Sequence, residues 1–234
     1  MTPRMAPAEL RDPHCLSLED AGRLLDGHPF RRVVMLGDSV AAGVREPAPG
    51  YLDLSMADRL QDALSASRPD LSFTNLAVSG AKIAEVTADQ LDRAVALQPD
   101  LAVVSAGGND AFGRGFDAGR AAGELAHLAS RLSDAGALVV LIGLFDLGSA
   151  GLLPPDVAQR MSATFATLDE AMHIAAEEVP GCVVSDNRSH PLSGDPSIYA
   201  SDLIHCNARG HAAAAATLLH DVHRLVVESR QPSG

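Results

Sequence analysis

The chain has 234 residues, 47% of them apolar and 3% aromatic, with a formal net charge of −12. That length suffices for one α/β domain whose core is built mostly from Ala, Leu and Val. An acidic balance of this size argues against nucleic acid or an anionic membrane as a partner, since both require a basic surface. Cys15, Cys182 and Cys206 are odd in number, far apart and without a CxxC pair. They read as reduced thiols of a cytoplasmic protein. Residues 1–12 are polar and rich in Pro, with no apolar h-region, and no run approaches the length of a membrane span. Neither a signal peptide, a lipoprotein anchor nor a transmembrane segment is expected.

In chain order, residues 1–16 read as a loose N-terminal arm. Ser17 with Asp20 three positions on is a helix start, and Gly27 a stop. A short β-branched run over 31–37 predicts a buried strand that breaks into Gly37-Asp38-Ser39. A Pro/Gly loop covers 44–52. A helix over 54–66 carries Leu54, Ala57, Leu60 and Leu64 on one face. A second strand is expected over 71–78. Thr87 with Gln90 is a second capping-box pattern, opening or re-opening a helix that ends before Pro99.

The third strand is Leu101–Ser105, followed by Gly107-Gly108-Asn109-Asp110. Asp117 caps a helix to about 134, and a fourth strand spans 137–144. The loop over 145–155 contains Leu152 and Leu153, which read equally as a lid or acyl pocket and as buried loop packing. A long helix to about 178 has the stripe Val157, Met161, Phe165, Leu168 and Met172. Cys182–Ser185 is a fifth strand, and Asn207 caps the last helix. The chain thus divides into the arm, a single domain over 17–228 and a tail over 229–234. Strands alternate with helices throughout, which implies parallel pairing with helices on both faces of the sheet.

Parallel strands put their carboxyl ends on one edge, so Ser39, Gly80 and Asn109 converge there. A serine hydroxyl becomes a nucleophile when a neutral histidine takes its proton, and a carboxylate must hold that histidine in the right tautomer. Asp202 and His205, three positions apart, supply both groups from one loop. The N–H groups of Ser39 and Gly80 and the Asn109 amide are candidate oxyanion donors. Asp38 and Asp110 read as structural, bonding nearby backbone N–H groups. His205, Cys206 and His211 cluster, and His220 and His223 lie three apart, but neither set has a zinc spacing with a complete ligand count. No metal and no cofactor are expected, and no GxSxG, Walker or GxGxxG signature occurs.

Four blocks in this order resemble the SGNH (GDSL-type) hydrolases. They are Gly37-Asp38-Ser39-Val40, Gly80 within Asn75–Gly80, Gly107-Gly108-Asn109-Asp110, and Asp202-Leu203-Ile204-His205 with Asn207 to His211. Val40 stands where Leu is more usual. Cys206 stands where proline is common, which would loosen the loop holding His205. The resemblance implies a flavodoxin-like three-layer α/β/α sandwich, with about five parallel strands in the order 2-1-3-4-5. It also implies hydrolysis of esters or related acyl bonds, and the two short apolar loop patches suit a small or medium acyl group. Ser39 is then the nucleophile, His205 the base and Asp202 its orienter, with Ser39, Gly80 and Asn109 forming the oxyanion hole. An acyltransferase using the same acyl-enzyme is the alternative, and an inactive binding module of the same fold a third. The partner is a small-molecule acyl ester, and the oligomeric state is open.

Overall fold

The computed structural model describes residues 6–113 and 115–229. Five parallel strands, β1 (Arg32–Gly37), β2 (Ser72–Asn75), β3 (Leu101–Ser105), β4 (Leu138–Ile142) and β5 (Cys182–Ser185), form one sheet in the order β2-β1-β3-β4-β5. All five residues of β3 are buried, as are Val33–Gly37 of β1. Continuous apolar runs are what a parallel sheet covered on both faces requires.

The helices are α1 (Leu18–Leu24), α2 (Ser39–Ala42), α3 (Met56–Ser67), α4 (Ile83–Val86), α5 (Asp92–Ala96), α6 (Gly108–Ala111), α7 (Ala118–Asp134), α8 (Pro155–Glu177) and α9 (Ala208–Ser229). Helices α1, α3 and α9 pack together as one layer, and α4, α5, α7 and α8 as the other. Small residues make these layers close. Ala212–Ala216 of α9 are buried against the sheet side, as are Ala121, Ala122, Ala126 and Ala129 of α7. The three-layer sandwich and its strand order agree with the sequence expectation.

Local signals hold where the cap is local. The Ser17 side chain accepts from Asp20 N–H, Asp117 from Arg120 N–H, and Asn207 from Arg209 N–H. The helix expected over 54–66 instead begins at Met56, because Ser55 and Asp58 form a reciprocal capping box there. Strand β2 is only four residues long, since Asn75 turns its side chain to its own loop and to α2. Strand β4 stops at Ile142 rather than at 144. Thr87 does not open a helix. The helix already starts at Ile83, capped through Glu85 and Lys82 N–H, and runs through a π-helical turn, Thr87–Leu91, into α5. Thr87 donates back to Ile83 O.

Residues 6–16, expected to be a loose arm, are docked. Glu9 and Arg59 are both buried and form a two-pronged ion pair at 2.6 and 3.0 Å. Glu9 also accepts from Leu52 N–H, and Asp12 binds Tyr51 and Arg209. Polar composition misled here because this segment is held by charge rather than by apolar contact. Residues 1–5 of the arm and 230–234 of the tail lie outside the described residues. Ser229, assigned to the tail, ends α9.

A buried ion pair is costly to break by halves, because the surviving charge stays desolvated. Glu9→Ala is therefore expected to lower unfolding stability by about 3 kcal/mol or more in urea titrations. The double variant Glu9→Ala with Arg59→Met should recover part of that loss. Additive losses from the two changes would show that the charges do not depend on each other.

Candidate active site

The site begins at the carboxyl end of β1. Gly37 has φ +135°, and a Cβ there would fall 1.9 Å from Ser105 O on β3. Only glycine fits. The Gly37 main chain is clasped by Gln90 from the π-helical turn, whose side chain accepts from Gly37 N–H at 2.8 Å and donates to Gly37 O at 2.9 Å. Gln90 is buried and was expected only as a partner of Thr87. Its signal in the sequence is a polar residue on the apolar face shared by Ile83, Val86, Leu91 and Ala94, all of them buried. Asp38 then caps α2 by accepting from Val40 N–H, and Ser105 Oγ donates to the same carboxylate oxygen. Ser39 follows as the first residue of α2.

The turn at 202–205 meets Ser39 from the far side. His205 Nδ1 lies 2.6 Å from Asp202 Oδ2, and His205 Nε2 lies 2.9 Å from Ser39 Oγ. Asp202 Oδ1 also accepts from the N–H groups of Ile204 and His205, both at 3.0 Å. Burial alone would raise the Asp202 carboxyl, but hydrogen bonds from the His205 ring, His205 N–H and Ile204 N–H outweigh it and hold it at about 2. An ionised carboxylate can only accept, so the ring proton sits on Nδ1. Nε2 of the neutral ring is then free to accept from the Ser39 hydroxyl.

Cys206 does not loosen this turn. Ala200 N–H donates to His205 O, Leu203 N–H to Ala200 O, and Asn207 N–H to Ile198 O. Glu46 fastens it to the loop after α2. Its carboxylate accepts from Ser201 N–H at 2.6 Å, and its carbonyl accepts from Ala208 N–H at 2.8 Å. Leu203 is held at φ +59°, an unfavourable conformation for leucine, so the turn is closed at the cost of local strain. Burial pushes the Cys206 thiol up to about 12, so it stays protonated beside the imidazole.

Gly80, at φ +86°, and Asn109 line the same cavity as Ser39 and His205. Asn109 spends one amide hydrogen on Ala81 O at 3.0 Å, which fixes the amide and leaves its second hydrogen unspent. Asp110 Oδ2 accepts from Ile83 N–H, so it joins the third block to the start of α4 rather than to its immediate neighbours. His211 accepts from Met56 N–H at Nδ1 and donates to Val44 O from Nε2. Both ring nitrogens are spent, and burial holds its pKa down at about 4. Among the described residues no group of three or more His, Cys, Asp or Glu is placed to hold a metal ion.

The cavity measures about 440 Å³. Leu152 and Leu153 do not line it. They pack half-buried against the core, while Phe145 and Leu147 form the wall from that loop. Asp146 between them accepts from Gly148 N–H, Ser162 Oγ and Arg188, and its own N–H donates to Ser193 Oγ. The wall is therefore a pinned turn. Of the two readings of Leu152 and Leu153, loop packing is the one the structure shows, and the aspartate that orders the loop went unread.

The model of the GDSL-like lipase/acylhydrolase family matches residues 35–213. No curated protein matches the chain by sequence. Solved structures resemble it in fold. LAE5, an α/β hydrolase from the metagenome of Lake Arreo, Spain, superposes with TM-score 0.62 at 19% identity, over 86% of this chain and 97% of that one. TesA does so with TM-score 0.62 at 23% identity, over 83% and 99%. A catalytic mutant of Axe2, an acetylxylan esterase from Geobacillus stearothermophilus, gives TM-score 0.65 at 17% identity, over 84% and 94%.

Asp38 gives the site a pH signature. Burial raises its carboxyl from 3.8 to about 6, against the opposing bonds from Val40 N–H and Ser105. The folded chain thus binds this proton more tightly than the unfolded one, and stability falls as pH rises through that interval. Asp38→Asn removes the slope. Relative to the parent, the variant should gain roughly 2 kcal/mol between pH 4 and pH 7, read from urea midpoints at each pH. A difference independent of pH would show that Asp38 is not protonated in the folded chain.

Proposed function

The chain belongs to the GDSL-like lipase/acylhydrolase family and is a serine-type carboxylic ester hydrolase; from that premise we propose that it works through an acyl-serine intermediate on Ser39. The observation that carries this reading is the unbroken hydrogen-bonded path from Asp202 through His205 to Ser39 Oγ. The substrate carbonyl carbon sits above Ser39 Oγ. As the Oγ–C bond forms, the hydroxyl proton passes to His205 Nε2, and Asp202 stabilises the resulting imidazolium without taking the proton. The carbonyl oxygen, now negative, accepts from the N–H groups of Ser39 and Gly80 and from the free hydrogen of the Asn109 amide.

Collapse of this adduct breaks the bond to the leaving oxygen, which takes the proton from His205. Water then attacks the acyl carbon as one of its protons passes to His205, and the Ser39 Oγ–C bond breaks with that proton returned to Oγ, which releases the acid and restores the serine hydroxyl. Asp202, His205 and Ser39 act as a triad in this scheme, and Ser39, Gly80 and Asn109 as the oxyanion hole. The substrate is a small or medium acyl ester. Three cysteines without a disulfide among them suit a reducing compartment, and we place the protein in the cytoplasm. No helix among the described residues is long and apolar enough to cross a membrane.

Ser39→Ala should lower turnover of p-nitrophenyl butyrate by about 10⁴-fold or more while the circular dichroism spectrum is retained. The same substitution should abolish labelling by a fluorophosphonate probe. Near-parental activity in that variant would remove Ser39 from the mechanism. Asn109→Ala should cost about 10²–10³-fold in kcat, with KM nearly unchanged, if its amide serves the oxyanion.

A further inference from the structure

The cavity at Ser39 is far larger than the reacting atoms require. Its residues fall on successive strand ends. Ser39 follows β1, Gly108 and Asn109 follow β3, Gly143, Leu144 and Phe145 follow β4, and Asn187 follows β5. These strands are neighbours in that order. Parallel strands lie about 4.8 Å apart, so three spacings carry the cavity roughly 14 Å along the carboxyl edge of the sheet. It is a channel leading away from the nucleophile across the sheet.

The walls of this channel are hydrocarbon. Leu144, Phe145, Leu147 and Phe165 form them, and Ala214 of α9 contributes only a methyl group. Of the polar residues along the way, His211 gives both nitrogens to the backbone, and Asn187 donates to Gly143 O, while its Oδ1 is buried without a hydrogen-bond partner and exposes no surface to the space. At the mouth, Phe112 and Ile204 are 43% and 52% exposed, and Phe112 packs edge-on against Phe165 inside. Apolar surface therefore runs continuously from solvent past Ser39 to β5.

We propose that this channel is an acyl-chain site for an unbranched chain of about eight to ten carbons. The proposal rests on the acyl-serine reading. An extended chain advances about 1.2 Å per bond, by analogy with the extended main chain, so ten carbons fill most of a 14 Å run. An acetyl group would leave the walls formed by Phe145, Leu147 and Phe165 without a partner. Each methylene taken out of water onto these walls is worth about fourfold in kcat/KM.

The test is kcat/KM for p-nitrophenyl esters from acetate to palmitate, measured on the full chain with Ser39→Ala alongside. The expected profile rises by up to about sixteenfold for each pair of methylenes to octanoate or decanoate and falls at least tenfold by palmitate. Ala214→Leu and Leu147→Phe, each adding bulk to the channel, should lower the ratio of decanoate to butyrate turnover by tenfold or more in whichever variant folds. Labelling rates of the parent with fluorophosphonates of increasing alkyl length should follow the same profile and need no variant. A flat or falling series with Ser39→Ala inactive would overturn the chain site and leave the acyl-serine reading standing. Full activity of Ser39→Ala on every ester would overturn that reading instead. A rising series that neither folded variant alters would place the chain outside this channel.

Discussion

At the end of β1 the main chain passes so close to β3 that residue 37 has no room for a side chain, since a Cβ would lie 1.9 Å from Ser105 O. Much of the site follows from this contact. The close approach needs φ +135° at Gly37, which turns the chain out of the sheet and into α2. The turn is held from both sides: Gln90 occupies the Gly37 N–H and carbonyl, and Asp38 ties α2 to Ser105. Ser39 is placed by main-chain geometry on a rigid sheet edge. Its own hydrogen bond to His205 has only to orient the hydroxyl.

Carboxylates of one residue type behave in opposite ways around this edge. Asp38 is sealed from water, and burial raises its proton affinity despite two hydrogen bonds. Asp202 keeps about half its side chain in solvent and collects three hydrogen bonds from one short turn, which lower it to about 2. Burial decides the first and donors decide the second. The two roles differ accordingly. Asp38 serves the architecture and gives the protein a stability that changes with pH, whereas Asp202 stays ionised at neutral pH.

What the sequence revealed follows the range of the forces involved. Strands β3 and β5 and the caps at Ser17, Asp117 and Asn207 were legible because each depends on residues within a few positions. Ser39, Gly80 and Asn109 were legible because parallel pairing puts strand ends on one edge, whereas Asp202 and His205, on the loop before α9, were legible from their three-residue spacing and from the resemblance of the four blocks. Three features needed the fold. Gln90 bonds a residue 53 positions away. Glu9 is a buried charge inside a polar segment. Asp146 orders a loop whose visible feature was a pair of leucines. In each case a polar side chain works at long range, and periodicity marks Gln90 only as a polar residue on an apolar face without naming its partner.

Glu46 links two regions that the chain keeps far apart. Ser39 and His205 are separated by 166 positions, and Glu46, on the loop that leaves α2, joins the histidine turn with one bond to Ser201 and one to Ala208. This tie, seven residues beyond Ser39, joins the loop after α2 directly to the main chain on both sides of His205, so the two halves of the site are fastened to each other as well as to the sheet.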